Sequence, residues 1–176
     1  AAKFFDPAMS NNRTKFLICA FLMISTFFIY SQVQYHDFIN YDDDLYVKNS
    51  QLVQSDFTIE SIIRIFNNTH FGLWQPITTL SYLVDYQLYE LNPKGFLLTN
   101  LFIHVVNSLL LFLVLFRMTG AIWKSAFVAT MFAYHPLNVE SVAWISERKN
   151  LLSTLFFLLT ISSYINYTQK PNINRY

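Results

Sequence analysis

Hydrophobic residues in this chain fall in blocks, not in the dispersed pattern of a soluble core. Phe16 to Val33 carries no charge across 18 residues, Phe96 to Phe116 none across 21, and Leu151 to Tyr167 none across 17. A helix rises about 1.5 Å per residue and the hydrocarbon core is about 30 Å thick, so roughly 20 apolar residues cross it. The first two blocks suffice, and local thinning of the bilayer accommodates the third. A fourth segment, Ala121 to Tyr134, is shorter and contains Lys124, whose long stem lets its charge reach the interface. The pattern predicts an all-α polytopic membrane protein with about four transmembrane helices, at 16–33, 96–116, 121–134 and 151–167. Between and beyond them lie an N-terminal flank (1–15), a long loop (34–95), a short turn (117–120), an interfacial motif (135–150) and a tail (168–176).

The long loop has its own periodicity. Ile59, Ile62, Ile63 and Phe66 follow i, i+3, i+4, i+7, an amphipathic helix of about two turns, and Glu60 and Arg64 add an i, i+4 pair in the favourable order. Pro76 suits a first helical turn. After it, Ile77, Leu80, Val84, Leu88 and Leu91 mark one apolar face, and Thr78, Tyr82, Asp85 and Tyr89 a second stripe. Asn92-Pro93 and Gly95 read as the end of that helix. Two such helices next to a bilayer are expected to lie in the interface plane. In the motif at 135–150, Pro136 reads as the start of a helix running unbroken into the last span. That would place Glu140 and Glu147, and Ser141 and Arg148, on shared faces at i, i+7.

Charge sets the orientation. Lys3, Arg13, Lys15, Arg117, Lys124, Lys170 and Arg175 fall on one side of the membrane with Asp6, whereas the other side holds five basic residues against ten acids. By the excess of basic residues in cytoplasmic segments, both termini are cytoplasmic and the acidic loop is not. The first block lacks a small-residue cleavage site and reads as an anchor. Met9 reads as the natural start, with residues 1–8 non-native. The single cysteine, Cys19, lies inside the first span, so the chain offers no intrachain disulfide and no cysteine-based metal pattern. There is no Gly-rich phosphate loop and no basic nucleic-acid patch, and no nucleic-acid partner is expected.

Two clusters carry candidate chemistry, both on the non-cytoplasmic side. The first is Asn40-Tyr-Asp-Asp-Asp-Leu-Tyr46, where adjacent carboxylates repel and aromatic flanks favour partial burial. Its carboxylates suit a general base or ligands of a hard divalent cation. The second runs from His135 to Asn150. There Arg148 and Lys149 suit a phosphate clamp, the guanidinium by its bidentate fork and the lysine as a point charge. Their plainer role is interfacial anchoring with a Glu–Arg pair. Asn100, His104 and Asn107 form a polar stripe inside the second span, read as hydrogen bonds to neighbouring helices.

The segments Phe38-Ile-Asn-Tyr-Asp-Asp-Asp-Leu-Tyr-Val47, Trp74-Gln-Pro-Ile-Thr-Thr-Leu-Ser81, Leu91-Asn-Pro-Lys-Gly95, Thr99-Asn-Leu-Phe-Ile-His104 and His135-Pro-Leu-Asn-Val-Glu-Ser-Val-Ala-Trp-Ile-Ser-Glu-Arg-Lys149 occur in this order. Together they resemble the N-terminal membrane region of the transmembrane and tetratricopeptide-repeat O-mannosyltransferase family, especially its bacterial-type relatives, from about Lys15 onwards. Gln75 stands where the pattern has His, Asn150 where Asp is common, and Gly95-Phe96 in place of a His pair. The resemblance implies a partial GT-C glycosyltransferase fold. It also implies a polyprenyl-phosphate sugar as donor and a hydroxyl acceptor, on a protein or a glycan. The catalytic carboxylate would be Asp42, Asp43 or Asp44. Arg148 and Lys149 would then bind the donor phosphate, and Glu140 and His135 would orient the acceptor or a metal. A divalent cation, Mg or Mn, would take Asp42, Asp43 and Glu140 as ligands. The location expected is the bacterial inner membrane with a periplasmic loop, or the endoplasmic reticulum with a luminal one. Family members carry more spans and often a repeat domain, so the chain reads as a fragment. A transporter and a non-catalytic scaffold are the alternatives. No Asp or Glu lies inside an assigned span, which disfavours the transporter.

Overall fold

A computed structural model describes residues 7–69 and 72–169, and side-chain environments for 12–69 and 72–168. Expectations resting on the extreme termini, including Lys3, Asp6, Lys170 and Arg175, lie outside the described residues. Seven α-helices follow in order: α1 (Pro7–Ile29), α2 (Ile59–Asn67), α3 (Pro76–Tyr89), α4 (Pro93–Thr119), α5 (Ile122–Tyr134), α6 (Asn138–Ala143) and α7 (Arg148–Gln169). Single turns at Ser31–Tyr35, Asp44–Lys48 and Ile145–Glu147 complete the architecture, and no strand occurs among the described residues.

Three helical stretches are long and apolar enough to cross a bilayer: Asn12–Tyr35, Pro93–Thr119 and Ile145–Thr168. The chain is an integral membrane protein. The fourth expected span, α5, has 13 residues, about 20 Å at 1.5 Å per residue, which is short of the hydrocarbon thickness. It turns back along α4 through Gly120, whose φ of +69° supplies the left-handed residue that ends α4.

α4 is the hub. It packs against α7, α5, α1 and α3, and buries Phe96, Leu97, Leu101 and Phe112 completely. In lipid such contacts rest on close packing and interhelical hydrogen bonds, not on removal of apolar surface from water. The polar stripe of α4 fills that role as expected. Asn100, His104 and Asn107 are each 0% exposed. Asn100 Nδ2 donates to the Trp144 carbonyl at 3.1 Å, and Asn107 Nδ2 to that of Leu151 at 2.9 Å. His104 Nε2 lies 3.0 Å from the Ala133 carbonyl. A carbonyl only accepts, so this nitrogen carries the proton. Ala133 sits in the last turn of α5 and Trp144 at a break between helices, where carbonyls lack helical partners. The stripe therefore ties α4 to the end of α5, to the break at Trp144 and to the first turn of α7.

Two expectations change, and the loop helices acquire a direction. The helix after Pro136 is not continuous, because Trp144 is extended (φ −116°, ψ 119°) and separates α6 from α7. Glu140 and Glu147 therefore share no helical face, nor do Ser141 and Arg148. Asn92-Pro93 and Gly95 open α4 and do not close α3: Asn92 Oδ1 accepts the Lys94 N–H at 3.2 Å. The Gly95 position has no space for a Cβ, which would stand 2.2 Å from Tyr89 Cγ. Finally, the loop helices are inverted relative to a soluble amphipathic helix. α3 buries Thr78, Tyr82 and Asp85 while Ile77, Val84 and Leu88 are exposed; α2 buries Ser61 and Ile65 while Ile59, Ile63 and Phe66 are exposed. Apolar residues facing outward, around an inner side that mixes Thr78, Tyr82, Asp85 and Ser61 with Leu83 and Ile65, suit helices bordered by lipid.

Candidate functional site

The acidic run lies at the top of the bundle, and its three carboxylates have three different environments. Asp43 is buried, with 1% exposure. Its Oδ2 accepts the Ile39 N–H at 3.0 Å, and its Oδ1 accepts both the Ser146 N–H at 2.9 Å and the Ser146 hydroxyl. Asp43 thus folds its own loop and fastens it to the segment preceding α7. Asp44 pairs with Lys48 one turn away at 2.7 Å, and this partner holds the Lys48 ammonium above its ordinary pKa. Asp42 is half-buried and has no hydrogen bond or ion pair among the described residues. Next to it, the Tyr41 ring packs on Trp144 at 6.4 Å between centroids. The two sequence clusters therefore meet, through Asp43 with Ser146 and Tyr41 with Trp144.

The basic pair separates. Arg148 is 0% exposed and all three nitrogens of its guanidinium are engaged inside the protein. Nε donates to Asn100 Oδ1 at 2.7 Å, Nη2 to the Phe96 carbonyl at 2.8 Å, and Nη1 to the Ser81 carbonyl and hydroxyl at 3.3 Å each. Nη2 also lies 2.6 Å from Asp85 Oδ2. The guanidinium carbon sits 4.7 Å from the Tyr82 ring centroid and 5.8 Å from that of Phe96, within cation–π range. The Tyr82 hydroxyl donates to the Ile145 carbonyl at 2.8 Å. Burial pushes the Asp85 carboxyl above its usual range, against the pull of Arg148 and of the Thr99 hydroxyl, which donates to it at 3.0 Å. Burial also raises the Tyr82 phenol. The expectation that Arg148 clamps a phosphate is corrected: it is the enclosed tie joining α3, α4 and α7.

Lys149 points elsewhere. Its side chain is 37% exposed and pairs with Glu147 at 2.7 Å, while Asn150 donates to the other Glu147 oxygen. It lines a groove of about 370 Å³ between the loop helices and α7, with Phe66, Trp74, Ile77, Leu152 and Phe156 as apolar walls. Deeper in, Tyr46, Gln75, Thr78, Tyr82 and Ser146 border an enclosed space of about 10 Å³, roughly one water's worth. Glu140 and His135 are exposed on and before α6, and His135 Nδ1 accepts the Leu137 N–H at 3.3 Å.

The expected cation ligands do not form a site. No three His, Cys, Asp or Glu side chains gather among the described residues. Both Asp43 oxygens are committed to the protein, and Glu140 stands exposed on a separate helix.

Sequence reasoning gave no role to Asp85, Ser146 or Thr78. Asp85 carried a signal, as the one acid within α3, sharing a stripe with Thr78 and Tyr82. Ser146 carried none, since its role depends on contact with a residue 103 positions away.

By fold and site, this is an all-α integral membrane protein in which an acidic loop and an interrupted membrane-entry segment close on one another. Mouse protein O-mannosyl-transferase TMTC4 is 31% identical over 149 residues, which is 73% of this chain and 20% of that protein. Human TMTC4 is 29% identical over 157 residues, 77% of this chain and 21% of the relative. Human protein O-mannosyl-transferase TMTC3 is 34% identical over 91 residues, covering 52% of this chain and 10% of that protein. The chain belongs to a TMTC-like family. It spans only about a tenth to a fifth of the length of these relatives. No protein-family model matches it, and no solved structure does.

Proposed function

We propose that this chain forms the N-terminal catalytic region of a glycosyltransferase that moves a sugar from a polyprenyl-phosphate donor to a hydroxyl, as on protein Ser or Thr. The observation that carries the reading is the division of labour in the acidic run. Asp43 and Asp44 are committed to the protein, and Asp42 is left half-buried, its carboxylate without a partner among the described residues, beside a locked loop. A base needs this combination of fixed backbone and free carboxylate. Support also comes from the names of the relatives, which are O-mannosyl-transferases.

In this mechanism Asp42 takes the proton of the acceptor hydroxyl. The resulting oxygen attacks the anomeric carbon from the face opposite the phosphate, with inversion. The bond from that carbon to the phosphate oxygen breaks, and the phosphate departs with the electron pair. Lys149 meets its charge at the head of the groove, and the lipid chain lies against the apolar walls. Glu140 and His135, both exposed, would orient the acceptor. Orientation follows the basic residues, with the acidic loop periplasmic or luminal.

The test is a transfer assay on the full-length protein with a defined polyprenyl-phosphate mannose. Asp42→Asn should lose about 10²–10⁴-fold in rate with normal membrane insertion, and Asp44→Asn should stay within a few-fold of wild type. Wild-type turnover in Asp42→Asn would sink the assignment. Orientation is checked in a Cys19→Ser background: an impermeant thiol reagent should label Gln51→Cys and not Thr119→Cys in intact cells or sealed vesicles of matching polarity.

A further inference from the structure

The groove at Lys149 and the enclosed space at Ser146 share two side chains, those of Gln75 and Thr78. These residues form the polar partition between the proposed lipid-phosphate groove and the floor of the acidic loop. Local structure holds them there. The Trp74 indole N–H donates to the Phe66 carbonyl at 3.0 Å, which pins the segment before α3 to α2. Pro76 fixes the next backbone angle. The Gln75 carbonyl accepts both the N–H and the hydroxyl of Thr79, at 3.0 and 3.1 Å. Although Gln75 occupies the N-cap position of α3, its side chain makes no capping bond. Its carboxamide has no partner among the described residues. Thr78 is only 8% exposed, and its hydroxyl likewise has none among them. That hydroxyl and the Gln75 carboxamide border both spaces, so each can bond to a molecule lying against them.

The chemistry of the pair is specific. A carboxamide offers two donors and an acceptor, a hydroxyl one donor and two lone pairs, and neither carries charge. Such groups match the alternating donor and acceptor character of sugar hydroxyls, while the charge of a phosphate is met by Lys149. We propose that Gln75 and Thr78 are the sugar-positioning residues, reading hydroxyls of the glycosyl group as it lies between Lys149 and the Asp43–Ser146 clasp. This rests on the lipid-phosphate donor reading above and adds to it the place of the sugar.

The experiment measures, on the full-length protein, binding of two probes: a polyprenyl-phosphate mannose and the same polyprenyl phosphate lacking sugar. Steady-state kcat and KM with the first are recorded alongside. The variants are Gln75→Met, Thr78→Val, and the conservative Gln75→His and Thr78→Ser. Loss of one neutral hydrogen bond should weaken the sugar-bearing probe about fivefold to tenfold in Gln75→Met and Thr78→Val, with affinity for the sugar-free lipid unchanged. The two conservative variants, which keep a donor and an acceptor, should recover most of the loss. Lys149→Ala should weaken both probes together. If Gln75→Met and Thr78→Val weaken both probes equally, or neither, the sugar-positioning role is overturned while the donor reading stands. If wild type binds neither probe, the donor reading fails and takes this inference with it.

Discussion

Arg148 and Lys149 are neighbours in sequence and occupy opposite kinds of environment. The first is sealed among Asp85, Asn100, Ser81, Tyr82 and Phe96; the second opens on a largely apolar groove and pairs with Glu147. The same contrast separates Asp43 from Asp42 at the other side of the site. Consecutive positions at the start of a helix point about 100° apart, so two adjacent like charges seldom share one task. In each pair one member builds the site and the other is left available to it. A variant of the builder should act through folding, and a variant of its neighbour through binding or rate.

The largest effect expected is that of Arg148→Ala. It leaves the Asp85 carboxylate buried without its cation and strands the acceptors of Asn100 and Phe96. Breaking such a pair costs about 3–5 kcal/mol, so thermal unfolding in detergent should show a collapse of stability. Arg148→Met combined with Asp85→Leu should recover much of it, because neither charge then remains buried. If Arg148→Ala keeps wild-type stability and loses only donor affinity, the contrast between the neighbours is false.

Next comes the clasp. Asp43→Asn turns an amide donor toward the N–H groups of Ile39 or Ser146, and a buried unsatisfied group costs about 1–3 kcal/mol. A similar loss, about 1–3 kcal/mol from overpacking, is expected for Gly95→Ala, whose new methyl would collide with Tyr89 at the α3–α4 reversal. Both should appear as lowered unfolding midpoints. A normal midpoint for Asp43→Asn would show that the loop is held some other way.

Lys149→Ala should change stability by no more than about 1 kcal/mol, as expected of an exposed ion pair, while weakening a phosphate-bearing lipid by about tenfold or more. The smallest effect concerns Lys48. Asp44 raises its pKa in the folded state. The stabilisation is therefore present below the ordinary lysine value of about 10.4 and is lost as pH rises through the higher folded value. Wild type should lose more stability than Asp44→Asn over that alkaline window, and the two should converge above it. Parallel curves would mean that the pair contributes nothing.

The sequence was most legible where one constraint dominates. Long uncharged runs could only be α1, α4 and α7, and a polar stripe inside an apolar helix had to face other protein. The two loop helices were legible as periodicity, but not the direction they face. Hydrophobic stripes mark the core in water and the outside in lipid, and Ile77 and Thr78 alternate identically in either case. The break at Trp144 was hidden because no Gly or Pro marks it. The chain is held extended there by a bond from α4, where Asn100 Nδ2 donates to the Trp144 carbonyl. Similarly, a basic pair at a membrane surface reads as two anchors or two ligands. Only the third dimension, which sets Asp85 from α3 against Arg148 from α7, decides between a tie and a clamp.

The clasp and the tie also impose an order of assembly. Asp43 is made early, yet the amide it holds belongs to Ser146. Likewise Asp85 and Asn100 wait for Arg148. A nascent chain inserted helix by helix from its N-terminus therefore carries an unlatched acidic loop until the segment entering α7 has been synthesised and delivered. The chemistry proposed for Asp42 would be coupled in this way to completion of the bundle, and a chain that ends before Ser146 would carry the three carboxylates without the clasp that fixes their loop.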